Sequence, residues 1–185
     1  MRYPDALWRP SPNFSRGRPK SPKFVVIHIT DGSPNVAQAA SHFVMRGGLA
    51  PHFLIGQAGE VYQHVDTDDR AWHAKGWNTE SIGIEHVARS PGELRDWAKL
   101  STSLRLKLVP EGCAIDSDVD PGFPPTQRQL EASAHLVAWL CSAYEWEVNR
   151  QRIRAHCECP TTSHADCGRD WPWEPYLAMV RATAV

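Results

Sequence analysis

The run from Phe24 to Ile29, FVVIHI, is apolar on both alternating faces except at one histidine. That is the pattern of a strand buried on both sides. Ser33-Pro34 then reads as the N-cap and first residue of a helix. Val36, Ala39, Ala40, Phe43 and Val44 keep helical spacing until Gly47-Gly48 stops it. His52–Ile55 and Glu60–Val65 flank a short loop containing Gly59, the mark of a hairpin. Ser81–Val87 reads as another buried strand. Thr126-x-x-Gln129 has the form of a capping box. It opens a long helix, to about Glu145, whose buried face is Leu130, Ala134, Val137, Cys141 and Tyr144. A last helix over roughly Trp173–Ala182 turns Tyr176, Leu177 and Val180 to one side.

Three stretches lack this periodicity. Residues 1–22 hold five prolines and read as an extended arm on a single domain spanning 23–185. Residues 91–121, broken by Pro91, Pro110 and Pro121, read as a surface insert. Ile153–Trp173, rich in Pro, Thr, Ser and Gly, reads as loop. The order of elements predicts an α/β fold: a central mixed sheet with helices on both faces, its chemistry at strand ends and on that closing loop.

With 185 residues, 42 % apolar and 22 % charged, the chain is long enough for one core of ordinary composition. A formal net charge of -1 gives no footprint for nucleic acid. No apolar run approaches the roughly 18 residues of a membrane span. The first residues, MRYPDALWRPSPNF, show no apolar leader segment, so a cytoplasmic location is expected. Five cysteines, an odd number, argue against a complete disulfide framework.

The closing loop concentrates the candidate chemistry. His156 and Asp166 lie ten residues apart, near enough for a loop to fold both onto one divalent metal. His28, in its apolar strand, can supply a third ligand. A His2Asp set leaves a fourth position for water, the catalytic form of a zinc site. Two rivals stand beside it. His164 can replace His156 as ligand, or Cys157, Cys159, Cys167 and His164 can form a structural Cys3His site. Glu85, in the apolar run SIGIEHV, is costly unless paired or working. It reads as a general base, or as the partner of Arg70 in an ion pair. Cys141, on the apolar stripe of its helix, reads as a small core residue. Trp72, Trp77, Trp171 and Trp173 offer aromatic faces for sugar rings or for the core. Asp116, Asp118 and Asp120 alternate as in a calcium loop, but Pro121 stands where that loop needs glycine.

In order, FVVIHITDGS, PHFLIGQAGEVYQHV, RAWHAKGWNTESIGIEHV and RAHCECPTTSHADCGRDWPW resemble the zinc-dependent N-acetylmuramoyl-L-alanine amidases, the group of phage amidase lysozymes and peptidoglycan recognition proteins. The resemblance implies one zinc per chain, held by His28, His156 and Asp166. It implies Glu85 as catalytic base and His164 as the group steadying the oxyanion. It places His73, with Trp72, His52 and Trp77, beside the substrate. A cysteine, Cys167, stands where the family pattern has proline after its last ligand, which makes Cys167 a rival to Asp166. The implied reaction is hydrolysis of the amide between N-acetylmuramic acid and L-alanine in peptidoglycan or a muropeptide, by a monomer. The setting expected is a phage or prophage endolysin, held in the host cytoplasm until release to the wall. Alternatives are a cytosolic muropeptide-recycling amidase, a binding module without catalysis, and a cysteine-nucleophile peptidase.

Overall fold

A computed structural model describes residues 1–89, 123–164, 166–167 and 171–184. The insert expected at 91–121, with Cys113 and the alternating aspartates, lies outside these residues. At its borders, Arg89 and Phe123 form an antiparallel bridge, each N–H donating to the other's carbonyl at 2.9 Å.

The buried run forms β3 (Phe24–Ile29), inside a six-stranded mixed sheet. In chain order the other strands of that sheet are β1 (Leu7–Trp8), β4 (Phe53–Ile55), β5 (Val61–Gln63), β7 (Ser81–His86) and β8 (Ile153–Ala155). Their spatial order is β1-β5-β4-β7-β3-β8, and β4–β5 is the antiparallel pair among parallel ones. β2 (Phe14–Ser15) and β6 (Arg70–Ala71) form a separate antiparallel pair.

Side-chain alternation divides the sheet into two faces. Val25, Ile27, Phe53, Ile55, Ile82 and Ile84 pack against α2 (Gln127–Ala143) and α3 (Trp173–Thr183). Leu54 points the other way, to Ala40 and Phe43 of α1 (Val36–Phe43). Helices therefore cover both faces, as the pattern predicts. β3 and β7 pair in parallel over six positions, with His28 opposite Glu85 and Glu85 opposite Leu54. This register carries His28 and Glu85 to the α1 face, near the carboxyl ends of adjacent parallel strands. In open α/β sheets that is where ligands bind.

Local chemistry shifts two boundaries and alters one cap. α1 begins after Asn35, whose side chain accepts from the Gln38 N–H at 3.1 Å, while Ser33 Oγ accepts from Asn35 N–H. The Ser33-Pro34 start is therefore replaced by a later cap. At α2, Thr126 Oγ1 accepts from the Gln129 N–H as expected, but Gln129 does not reach back. Its Nε2 donates instead to Ile55 O at 2.7 Å and Val87 O at 3.3 Å. Ile153–Ala155, expected as loop, is the edge strand β8. A single 3-10 turn, His156–Glu158, follows it directly.

The arm is woven into the domain. β1 extends the main sheet beside β5, and Asn13 is buried, its amide holding Met45 O and the Gly47 N–H. Arg18 donates to Thr67 O, Thr79 O and Ser81 O at 2.7 to 3.0 Å. Burial lowers its pKa to about 10.

Candidate active site

His28 arrives on β3, Glu85 on β7, His156 at the end of β8 and Asp166 on the returning loop. His28, His156 and Asp166 are 1 %, 8 % and 6 % exposed, and one ligand atom from each lies within 4.8 Å of the others. Asp166 Oδ1 is 2.9 Å from His156 Nδ1, and Oδ2 is 3.3 Å from His28 Nδ1. Both Nδ1 atoms thus face one carboxylate across a small gap. Among the described residues this is the one such cluster of metal-capable side chains.

The outward nitrogens are also occupied. His28 Nε2 lies 3.0 Å from His73 Nδ1, and His156 Nε2 lies 3.1 Å from Thr162 Oγ1. Metal-binding histidines are characteristically held this way on the side away from the ion. Ile29 N–H donates to Asp166 Oδ2 at 3.3 Å, fixing the carboxylate.

Electrostatics fits a cation at this point. Burial lowers the pKa of His28 to about 4, with His156 adding to the effect, so His28 is neutral, the form a metal requires. Burial alone would raise the pKa of Asp166, but the neighbouring imidazoles of His156 and His28 hold it well below the carboxylate range. Glu85 moves the opposite way: burial first, then Asp166 and Asp31, push it well above its ordinary value. Its Oε1 is 3.9 Å from His28 Nδ1, and its Oε2 is buried without a hydrogen-bond partner among the described residues. An ionised carboxylate so placed costs free energy that a neighbouring divalent cation offsets. The donor set, its burial and this orphaned oxygen together fit a site for a divalent metal ion.

The cluster lies in a cleft of about 470 Å³ that also takes in Asp31, Gln38, His42, Leu49, Pro51, His73 and His164. His164 is exposed, its ring stacked on His156 at 5.3 Å and 20°. His156, and not His164, joins the ligand cluster. Cys167 is fully buried in the core with Trp171 and Tyr176, so Asp166 faces the site and Cys167 does not. Cys159 lies against Lys75 O, Cys141 is buried in the core, and the four described cysteines are free. They form no Cys3His cluster among the described residues. Arg70 donates to Gly17 O, leaving Glu85 without that proposed partner.

The remaining expected site residues divide. His73 lines the cleft from behind His28. His52 is fully buried, its Nδ1 accepting from Gly83 N–H at 3.0 Å. Burial and the nearby Arg18 keep it neutral. Trp72 is on the surface, donating to Ser15 Oγ, and Trp77 packs edge-on against Phe24. Neither tryptophan borders the cleft. Gln38, His42 and Leu49 do, although they are ordinary helix and loop positions that no pattern singles out.

Residues 17–169 match the model of the N-acetylmuramoyl-L-alanine amidase family. Amidase A of Achromobacter lyticus is 30 % identical over 186 residues, covering 96 % of this chain and 94 % of its own length. The 1,6-anhydro-N-acetylmuramyl-L-alanine amidase AmpD of Haemophilus influenzae is 24 % identical, over 72 % of this chain and 59 % of its own. The fold is shared with a crystal structure of an AmpD derivative, at a TM-score of 0.61, 20 % identity and coverage of 99 % and 96 % of the two chains. It is shared also with a mutant endolysin from Bacillus subtilis, at 0.59, 18 % identity and coverage of 95 % and 97 %. The chain belongs to the N-acetylmuramoyl-L-alanine amidase family, a family of peptidoglycan amidases.

Proposed function

We propose that this amidase depends on one zinc ion held by His28, His156 and Asp166, and that Glu85 is its base. The bond cut joins the lactyl group of N-acetylmuramic acid to L-alanine of the stem peptide. The observation carrying this reading is Glu85: a buried carboxylate oxygen with no partner among the described residues, directly across the strand register from a metal-capable histidine. Zinc held there supplies a Lewis acid that polarises a carbonyl and makes water nucleophilic near neutral pH. Glu85 takes the proton of the attacking water. It returns that proton to the departing amine nitrogen, which cannot leave as an anion. His164, exposed at the mouth and stacked on His156, donates a hydrogen bond to the oxygen on which negative charge develops. A module that only binds wall has no use for Glu85 in this position.

Replacing Glu85 by Gln keeps shape while removing the base. The expected outcome is unchanged folding and zinc content, with activity down by about 100-fold or more. Activity within a few-fold of wild type would take Glu85 out of the mechanism.

We read the setting as that of an endolysin acting on polymeric wall. Support comes from the cleft mouth, where His164 is exposed and Leu49 is 61 % exposed, giving a long strand room to lie across it. The H. influenzae relative, by its name, acts on a 1,6-anhydro muropeptide, and that substrate class is the alternative. Mass analysis after incubation with purified sacculi and, separately, with soluble anhydro-muropeptides decides. Release of stem peptides from sacculi supports the endolysin; cleavage confined to the soluble substrate identifies a recycling amidase.

A further inference from the structure

We infer that His73 is a positioning residue: with Ser81 it forms a one-directional hydrogen-bond relay that fixes the tautomer of His28 and so aims the His28 Nδ1 lone pair at the metal. The inference rests on the zinc reading above and follows from where protons can sit.

The chain of contacts runs from a backbone carbonyl to the ligand. Ser81 Oγ lies 2.7 Å from Trp77 O. A carbonyl only accepts, and two oxygens this close need a proton between them, so the Ser81 hydroxyl donates outward. Its hydrogen is then spent, and Ser81 Oγ can only accept from His73 Nε2, 3.2 Å away. In a neutral imidazole one nitrogen donates and the other accepts. His73 Nδ1 is therefore the acceptor, and it takes the proton of His28 Nε2 at 3.0 Å. His28 is left with its lone pair on Nδ1, the atom that faces Asp166 and His156, and the relay must outweigh Asp166 Oδ2, which at 3.3 Å competes for a proton on that nitrogen.

The surroundings hold His73 to this task. It is 7 % exposed, and its ring meets that of His28 edge-on at 84°. Its backbone N–H donates to Asn78 Oδ1 at 3.1 Å. The ring lies over Gly83, where a Cβ would fall 2.4 Å from two of its atoms. The absence of a side chain at Gly83 is what lets the imidazole reach across β7 to His28. Thr162 serves His156 from the other side: its Oγ1 accepts the His164 N–H and stands 3.1 Å from His156 Nε2.

The relay is tested without reference to activity. In metal-free wild-type protein at mildly alkaline pH, long-range proton–nitrogen correlation spectra show which imidazole nitrogen carries hydrogen. His28 and His73 are both expected in the Nε2–H form; His28 in the Nδ1–H form overturns the relay. Ser81→Ala removes the terminal acceptor and is expected to leave His28 in a mixture of the two forms. Zinc affinity, measured by competition with a chromogenic chelator, is expected to fall by about 10- to 100-fold in His73→Phe, the usual effect of losing such a partner. His73→Asn, whose Oδ1 can stand in for Nδ1, is expected to recover part of that loss. Affinity in His73→Phe within about two-fold of wild type also overturns the inference, since the partner's usual effect would be missing. Should His73→Phe fail to fold, the wild-type and Ser81→Ala spectra decide. Wild-type protein that binds no zinc refutes the metal reading, and its own spectrum still decides the relay.

Discussion

Gly83 shows how much one missing side chain determines. A Cβ there falls 2.4 Å from Cγ and Nδ1 of His73 and 2.8 Å from Cδ2. Those atoms sit near the root of the side chain, so no small rotation clears them. Gly83→Ala is therefore an overpacking change, with an expected cost of about 1–3 kcal/mol. Denaturant melts of metal-free protein would measure it, and a cost near zero would mean that the ring yields. At this scale the sequence was legible where a polar residue interrupted an apolar run. His28 and Glu85 announced themselves because burying either needs compensation. His73 did not, because its partners His28 and Ser81 come from separate strands and its neighbour Gly83 is silent in any pattern. His52 and Trp77 were grouped with the substrate by their motif, yet one faces the backbone of Gly83 and the other Phe24. The choice between Asp166 and Cys167 rested on two adjacent residues. Burial separates the two: Cys167 packs with Trp171 and Tyr176, while Asp166 stands with His28 and His156.

Between elements, the contact most easily misread was Gln129. The spacing from Thr126 promised a reciprocal cap, but only the threonine half forms. Gln129 is fully buried and binds Ile55 O at the end of β4 and Val87 O just past β7. It anchors α2 to the strand pair that carries Glu85. The two residues therefore have separable effects. Thr126→Ala removes a cap, with an expected loss of about 1 kcal/mol. Gln129→Leu deprives buried carbonyls of a donor, with an expected loss of about 1–3 kcal/mol. Equal small losses from chemical denaturation would show that Gln129 acts as an ordinary cap residue. The same misreading explains β8. Ile153–Ala155 is three residues long, too short for alternation to register, and it runs straight into a segment whose composition reads as loop. Its pairing with β3, with Val25 opposite Ile153 and Ile27 opposite Ala155, is what delivers His156 to His28. The long elements α2 and α3 were legible because amphipathic periodicity accumulates over many turns.

Across the whole molecule, the helices on both faces and the mixed sheet followed from the order of periodic segments. The weaving of the arm did not, because two-residue strands such as β1 and β2 carry no periodic signal. That weaving buries His64, at 1 % exposure, under the arm. Its Nδ1 donates to Arg9 O at 2.7 Å, and its Nε2 is buried without a partner among the described residues. Burial, the largest influence, lowers its pKa from 6.5 to about 4. Between those two values the unfolded chain binds a proton that the folded chain refuses. Stability contributed by neutral His64 is thus complete above pH 6.5 and is lost progressively as pH falls toward 4. A shift of this size is worth about 3.5 kcal/mol at most, taking roughly 1.4 kcal/mol per pKa unit. His64→Asn keeps a donor for Arg9 O but cannot titrate. The variant's unfolding free energy is expected to fall less steeply than wild type between pH 6.5 and 4, and to run parallel to it above that window. Comparing slopes cancels the other buried histidines and the His28, His156 and Asp166 cluster, which both proteins share. Parallel curves throughout would show that His64 accepts its proton in the folded state, and that the arm opens locally to let it do so.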